Sequence, residues 1–332
     1  MDFSLYLDES GGFQGPGPLG LRLVAGVLMR GRPEAHREPL DALLAERLGW
    51  WPGARHASDL RAHKIALLLG TIDASKVPFH LAKARRELRA LGSHGRKVET
   101  LRAQNRELFS EVCGESERLM CAGSAAVGEA CRLFEGGLVL AVEQDLGPDQ
   151  SRYPPMLEAA IEAAIIELIL RGAQGSCLHV LAEERSDARG PDVAGIEAAA
   201  QEIWRRLERE GAPPQIAPGP YFHAKDAHPG LVLADFASYR LGPRRFATVE
   251  LSEAERRRWV LARLSQKVRS RFGASCLAAT DALAARSLLR EALAGAGRGE
   301  LERSRKNPPE GAVRAPYESA LATLDAARGS RS

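Results

Sequence analysis

Carboxylates recur at one kind of place in this sequence. Asp8-Glu9 close the alternating run Ser4-Leu5-Tyr6-Leu7, just before Ser10-Gly11-Gly12 turns the chain. Glu183-Glu184 close a second apolar run, Cys177 to Ala182, and Asp235 sits inside Leu231-Val232-Leu233-Ala234-Asp235-Phe236. Acids set against apolar runs are costly unless a cation or a basic group lies nearby. Carboxylates from separate elements that converge can hold Mg²⁺ or Mn²⁺ against a phosphodiester, one ion activating water and the other stabilising the leaving oxygen. Neighbouring side chains of a strand point to opposite faces, so only one of Asp8 and Glu9 is expected to face a given site. Of Glu183 and Glu184, one is expected at the site while the other pairs with an arginine such as Arg185. The competing reading of each dipeptide is a solvated strand end. For Asp235 it is a helix-face carboxylate paired with Arg240 or Arg244.

The elements that must position these groups follow from periodicity. Phe3–Asp8 and Leu21–Arg30 flank a Gly/Pro-rich turn and predict an antiparallel hairpin. Pro33 opens a helix that runs to about Leu48. After a loop with Trp50, Trp51 and Pro52, a second helix is expected through Leu69, and a third strand over Val77–Ala84. The stretch 99–171 predicts a largely helical insertion with an apolar piece at Leu138–Val142, ending in a long helix from about Pro155 to Arg171. Cys177–Ala182 predicts a strand, Val193–Glu210 a helix with apolar and charged faces, and Gln215–Ala224 a short last strand interrupted by Pro218-Gly219-Pro220. Leu231–Leu241 and Ala278–Leu293 predict two more helices. From Gly295 onward Gly, Arg, Ser and Pro dominate, which predicts a basic tail over 295–332 with little structure of its own.

Length and composition set limits. A chain of 332 residues, 45% hydrophobic and 27% charged, has enough apolar sequence for a sizeable core. The net charge of +3 is too small to announce a nucleic-acid binder, but arginines gather in the last third, where a local basic stripe could form. The five cysteines, Cys113, Cys121, Cys131, Cys177 and Cys276, form no C-x-x-C pair. They are expected to be reduced thiols in a cytoplasmic protein, with a zinc site not expected on this spacing. The first strand opens the sequence, so no targeting segment is expected, and the most apolar stretch, Ala159–Leu170, is too short to span a bilayer.

Three segments occur in an order that resembles the DUF3800 family. They are Tyr6-Leu7-Asp8-Glu9-Ser10-Gly11-Gly12-Phe13, His56-Ala57-Ser58-Asp59-Leu60 and Leu231-Val232-Leu233-Ala234-Asp235-Phe236. The resemblance spans roughly the first three-quarters of the chain. It implies a single ribonuclease H-like α/β domain over 1–294, with a mixed sheet flanked by helices, the helical insertion and the basic C-terminal extension. It also implies a metal-dependent nuclease in which Asp8 matches the first acid and Asp235 the last, with Glu9 assisting. The middle acid of the family is usually an Asp. Here Glu183-Glu184 fills the place one methylene farther out, so the metal geometry is not carried over with it. A Ser-Lys-like pair often precedes the family's final helix, and His223-Ala224-Lys225-Asp226 keeps only Lys225.

The expected partner is therefore DNA or RNA. Lys225 could neutralise a phosphate, and His56 could contact phosphate or assist proton transfer. Arg256-Arg257-Arg258 beside Trp259 could track a phosphate backbone, although neighbouring arginines on a helix point in different directions. The plain readings are a surface charge, a structural hydrogen-bond partner and a solvated helix face. Two rival functions follow. One is a non-catalytic nucleic-acid-binding subunit on the same fold. The other is an effector, for example in phage defence, that needs a partner protein and docks through the basic tail.

Overall fold

The computed structural model describes residues 1–10, 21–48, 121–144, 153–184, 190–224, 227–241 and 266–281. Among these, a mixed sheet carries helices on both faces. In chain order the elements are β1 (Asp2–Ser10), β2 (Leu21–Arg30), α1 (Pro33–Leu48), α2 (121–133), β3 (Gly137–Gln144), α3 (Tyr153–Leu170), β4 (Cys177–Glu183), α4 (Val193–Arg206), β5 (Gln215–Ile216), β6 (Phe222–His223), α5 (Pro229–Leu241), α6 (266–272) and β7 (Cys276–Asp281). The strand order is β5-β4-β1-β2-β3-β7, with β6 also paired to β4. β1, β2 and β3 run antiparallel in succession. β4 joins β1 in parallel, β5 and β6 join β4 in parallel, and β7 joins β3 in parallel.

β1 is an inner strand, and its alternation assigns the two faces. Phe3, Leu5 and Leu7 pack into one apolar layer with α3 and α4, while Tyr6 packs into the other with α1, α2 and α5. α3 is apolar nearly all round because it lies between the sheet and α4. Each fully buried leucine or isoleucine on it contributes about 1.5–3 kcal/mol by leaving water. Glycines let α5 approach closely: a Cβ at Gly230 would lie 2.4 Å from the Tyr6 ring, and one at Gly123 would lie 2.2 Å from the ring of Phe236.

Two expectations change here. The predicted helical insertion over 99–171 is interrupted by β3, since residues 137–144 form a strand paired with β2 along its length. The helix expected from Ala278 instead begins as β7, parallel to β3. The strand expected at Val77–Ala84, the helix through Leu69 and the tail over 295–332 lie outside the described residues. Among the described residues, no helix is long and apolar enough to cross a membrane.

Candidate metal centre

Two neighbouring strands and one helix bring the acids together. β1 and β4 run parallel, with Tyr6 opposite Leu181 and Leu7 opposite Ala182. One residue farther along, Asp8 and Glu183 follow on the face that also carries Tyr6 and Leu181. α5 packs on that same face. Its Ser238 hydroxyl lies 2.6 Å from Asp8 Oδ2 and 3.1 Å from the Asp235 carbonyl oxygen. A hydroxyl has one proton, and the closer, charged carboxylate is the stronger acceptor. Ser238 therefore fixes Asp8, which is only 3% exposed, by one of its two oxygens.

Asp8, Glu9 and Glu183 each offer a carboxylate oxygen, and these oxygens all lie within 4.8 Å of one another. The presence of Glu9 corrects the expectation that strand alternation keeps one of Asp8 and Glu9 away. β1–β4 pairing ends at Leu7–Ala182, so Glu9 lies past the last pair. There the sheet no longer separates two faces on the β4 side, and the longer glutamate reaches the shared space. Unit charges this close repel by on the order of 3 kcal/mol per pair at an effective dielectric near 20. A cation, a basic side chain or a shared proton must offset that. An all-oxygen donor set suits a hard divalent ion, so these residues fit a metal.

Asp235 is 7% exposed and lies on α5, one turn before Ser238, outside the three-carboxylate group. Glu184 is exposed and does not join the group; its backbone N–H donates to the His223 carbonyl at 2.8 Å. Of the two glutamates, the structure thus brings Glu183 to Asp8. His223 pairs in register with Glu183, and its Nε2–H donates to the Pro220 carbonyl at 2.9 Å. His56, Lys225, Arg256, Arg257 and Arg258 lie outside the described residues.

Sequence reading missed Ser238 and His228. Ser238 carried a signal, since it stands three residues after Asp235 and shares its helix face. His228 shows its role only in the fold. Its Nδ1 accepts the Gly230 N–H at 3.0 Å, which places its proton on Nε2, 2.8 Å from the Pro33 carbonyl. Its ring stacks on Tyr6 with centroids 4.8 Å apart. The Tyr6 hydroxyl in turn donates to His36 Nδ1 at 2.9 Å, because His36 Nε2 is occupied with the Arg30 carbonyl. Burial lowers the pKa of His36 and brings that of His228 down to about 4. Two neutral histidines and one tyrosine thereby join the N-terminus of α5 to the centre of β1, the elements that carry Asp235 and Asp8.

Among the described residues, Cys121, Cys131 and Cys177 form no disulfide, and burial raises the pKa of Cys131 to about 12. Compared with known proteins, the chain matches no family model, no curated protein and no solved structure.

Proposed function

We propose that the chain is a ribonuclease H-like, Mg²⁺- or Mn²⁺-dependent nuclease of the DUF3800 kind, hydrolysing phosphodiester bonds of DNA or RNA. The observation that carries the reading is the convergence of Asp8, Glu9 and Glu183 within 4.8 Å at the end of two parallel strands. The sheet supports it, since an antiparallel hairpin opens the fold and the two acid-bearing strands lie side by side at its centre.

In this reading Asp8 and Glu183 are the metal ligands, Glu9 assists, and Asp235 lies on α5, one turn before the Ser238 that holds Asp8. A bound divalent ion supplies an activated water and stabilises charge on the leaving oxygen. Ser238 holds Asp8 in one rotamer, so the ligand is oriented before substrate arrives. Water is the nucleophile, and no covalent intermediate forms on the protein. Lys225, His56 and Arg256–Arg258 are the candidate phosphate contacts.

The test is cleavage of labelled single- and double-stranded DNA and RNA in Mg²⁺ or Mn²⁺ by wild type, Asp8→Ala, Glu183→Gln and Asp235→Ala. Metal-dependent cleavage that disappears in Asp8→Ala and Glu183→Gln supports the nuclease. Binding without cleavage, equal in all four proteins, favours a non-catalytic subunit, a reading consistent with a glutamate in the middle position. Cleavage that arises only on adding a partner protein favours the partner-activated effector.

A further inference from the structure

The opposite end of the same two strands carries a second set of donors. Asp2 and Cys177 are direct partners in the parallel β1–β4 ladder, and His179 follows Cys177 by two residues, so all three project from one face. A carboxylate oxygen of Asp2, the Cys177 sulfur and a ring nitrogen of His179 all lie within 4.8 Å of one another. Each residue is partly exposed, so an ion can reach the group from solvent. Asp2 and Asp8 stand six positions apart on β1, about 20 Å of extended chain.

The donor types differ from those at the other end. Carboxylates alone suit magnesium or manganese, whereas a thiolate with an imidazole and one carboxylate suits a softer ion. The spacing agrees. Tetrahedral zinc bonded to nitrogen and oxygen at about 2.0–2.1 Å sets those two ligand atoms about 3.3 Å apart. His179 Nε2 and Asp2 Oδ1 are 3.3 Å apart. The remaining Asp2 oxygen, Oδ2, is held by Arg32 Nε at 3.1 Å. A hydrogen bond to the distal oxygen of a carboxylate is the support that metal-ligating carboxylates commonly receive, and it leaves Oδ1 directed at His179.

We propose that Asp2, Cys177 and His179 form a zinc-type transition-metal site, with three protein ligands and a fourth position open to solvent. On binding, the thiol proton of Cys177 leaves to solvent and the sulfur bonds the ion as thiolate. His179 bonds through Nε2, giving up the hydrogen bond that Nε2–H donates to Asp2 Oδ1; the Nε2 proton leaves to solvent and the neutral ring keeps its proton on Nδ1. The site clamps the start of β1 to the start of β4, so occupancy stabilises the sheet by mass action.

The probe is Co²⁺, which reports a thiolate ligand by a sulfur-to-cobalt charge-transfer absorption. Titration of the full chain, kept reduced, should give this band at one equivalent, with Zn²⁺ displacing it. Cys177→Ser should abolish the band, and His179→Gln should weaken cobalt binding at least tenfold. Asp8→Asn should leave the charge-transfer band and its titration midpoint unchanged, which separates this site from the carboxylates at the other end. Circular dichroism establishes that each variant is folded. Absence of the band in wild type, or its persistence in folded Cys177→Ser, overturns the proposal.

Discussion

Acid should loosen the joint between α5 and β1 through His228. The side chain is 3% exposed, and burial lowers its pKa from 6.5 to about 4, with Arg37 and His36 acting in the same direction and the Pro33 carbonyl and Asp41 opposing. Above pH 6.5 the imidazole is neutral in both folded and unfolded chains and the shift has no effect. Below that, the unfolded chain takes up a proton that the folded one refuses, so stability falls as pH falls and levels off below about 4. For these two pKa values the loss amounts to about 2–3 kcal/mol at pH 4.5 and is negligible at pH 7.5. Urea unfolding of wild type and His228→Gln at both pH values isolates the effect, since the carboxylates common to both proteins cancel in the difference. His228→Gln is expected to be less stable at pH 7.5, because it loses the stack on Tyr6, and to recover about 2–3 kcal/mol relative to wild type at pH 4.5. An identical stability difference at the two pH values would refute the reasoning. So would a titration of His228 near 6.5 followed by NMR.

Gly230→Ala places a methyl group 2.4 Å from a ring that His36 and His228 hold in place, so α5 must move by about 1 Å. Thermal unfolding should show a loss of about 1–3 kcal/mol. If the chain is the proposed nuclease, its cleavage should fall further than the unfolded fraction explains, because Ser238, which holds Asp8, moves with the helix. Arg22 and Glu143 form a cross-strand ion pair at 3.7 Å, each side chain 3% exposed. Glu143→Leu alone, which removes a carboxylate facing a buried guanidinium, should cost about 1–3 kcal/mol. The Arg22→Met/Glu143→Leu pair should recover most of that in urea unfolding, and a strictly additive double variant would contradict it.

The fold was legible where one periodicity prevailed. Alternation located β1, β2 and β4, and Pro33 marked the start of α1 because proline suits a first helical turn. Leu138–Val142 was harder, since a short continuous apolar run does not distinguish a buried strand from a buried helix. At Ala278 the alanines favoured a helix, while pairing with β3 decided for a strand. Within the site, Asp8 and Asp235 stood out as acids inside apolar sequence, whereas the choice between Glu183 and Glu184 needed the register of β4 on β1. The Asp2–Cys177–His179 group was not legible at all. Its members lie up to 177 positions apart and meet only through a parallel pairing that spacing does not encode.

The central claim is that Asp8 and Glu183, with Glu9 assisting, hold a divalent ion, and Mn²⁺ binding followed by electron paramagnetic resonance tests it most directly. The measurement is made in a Cys177→Ser background to remove thiolate sites at that position. The parent protein should deplete the signal of free Mn²⁺, Mg²⁺ should compete, and Asp8→Asn or Glu183→Gln should restore the signal at least tenfold toward that of the free ion. A parent protein that leaves free Mn²⁺ undiminished, or folded Asp8→Asn that binds it as the parent does, would contradict the account.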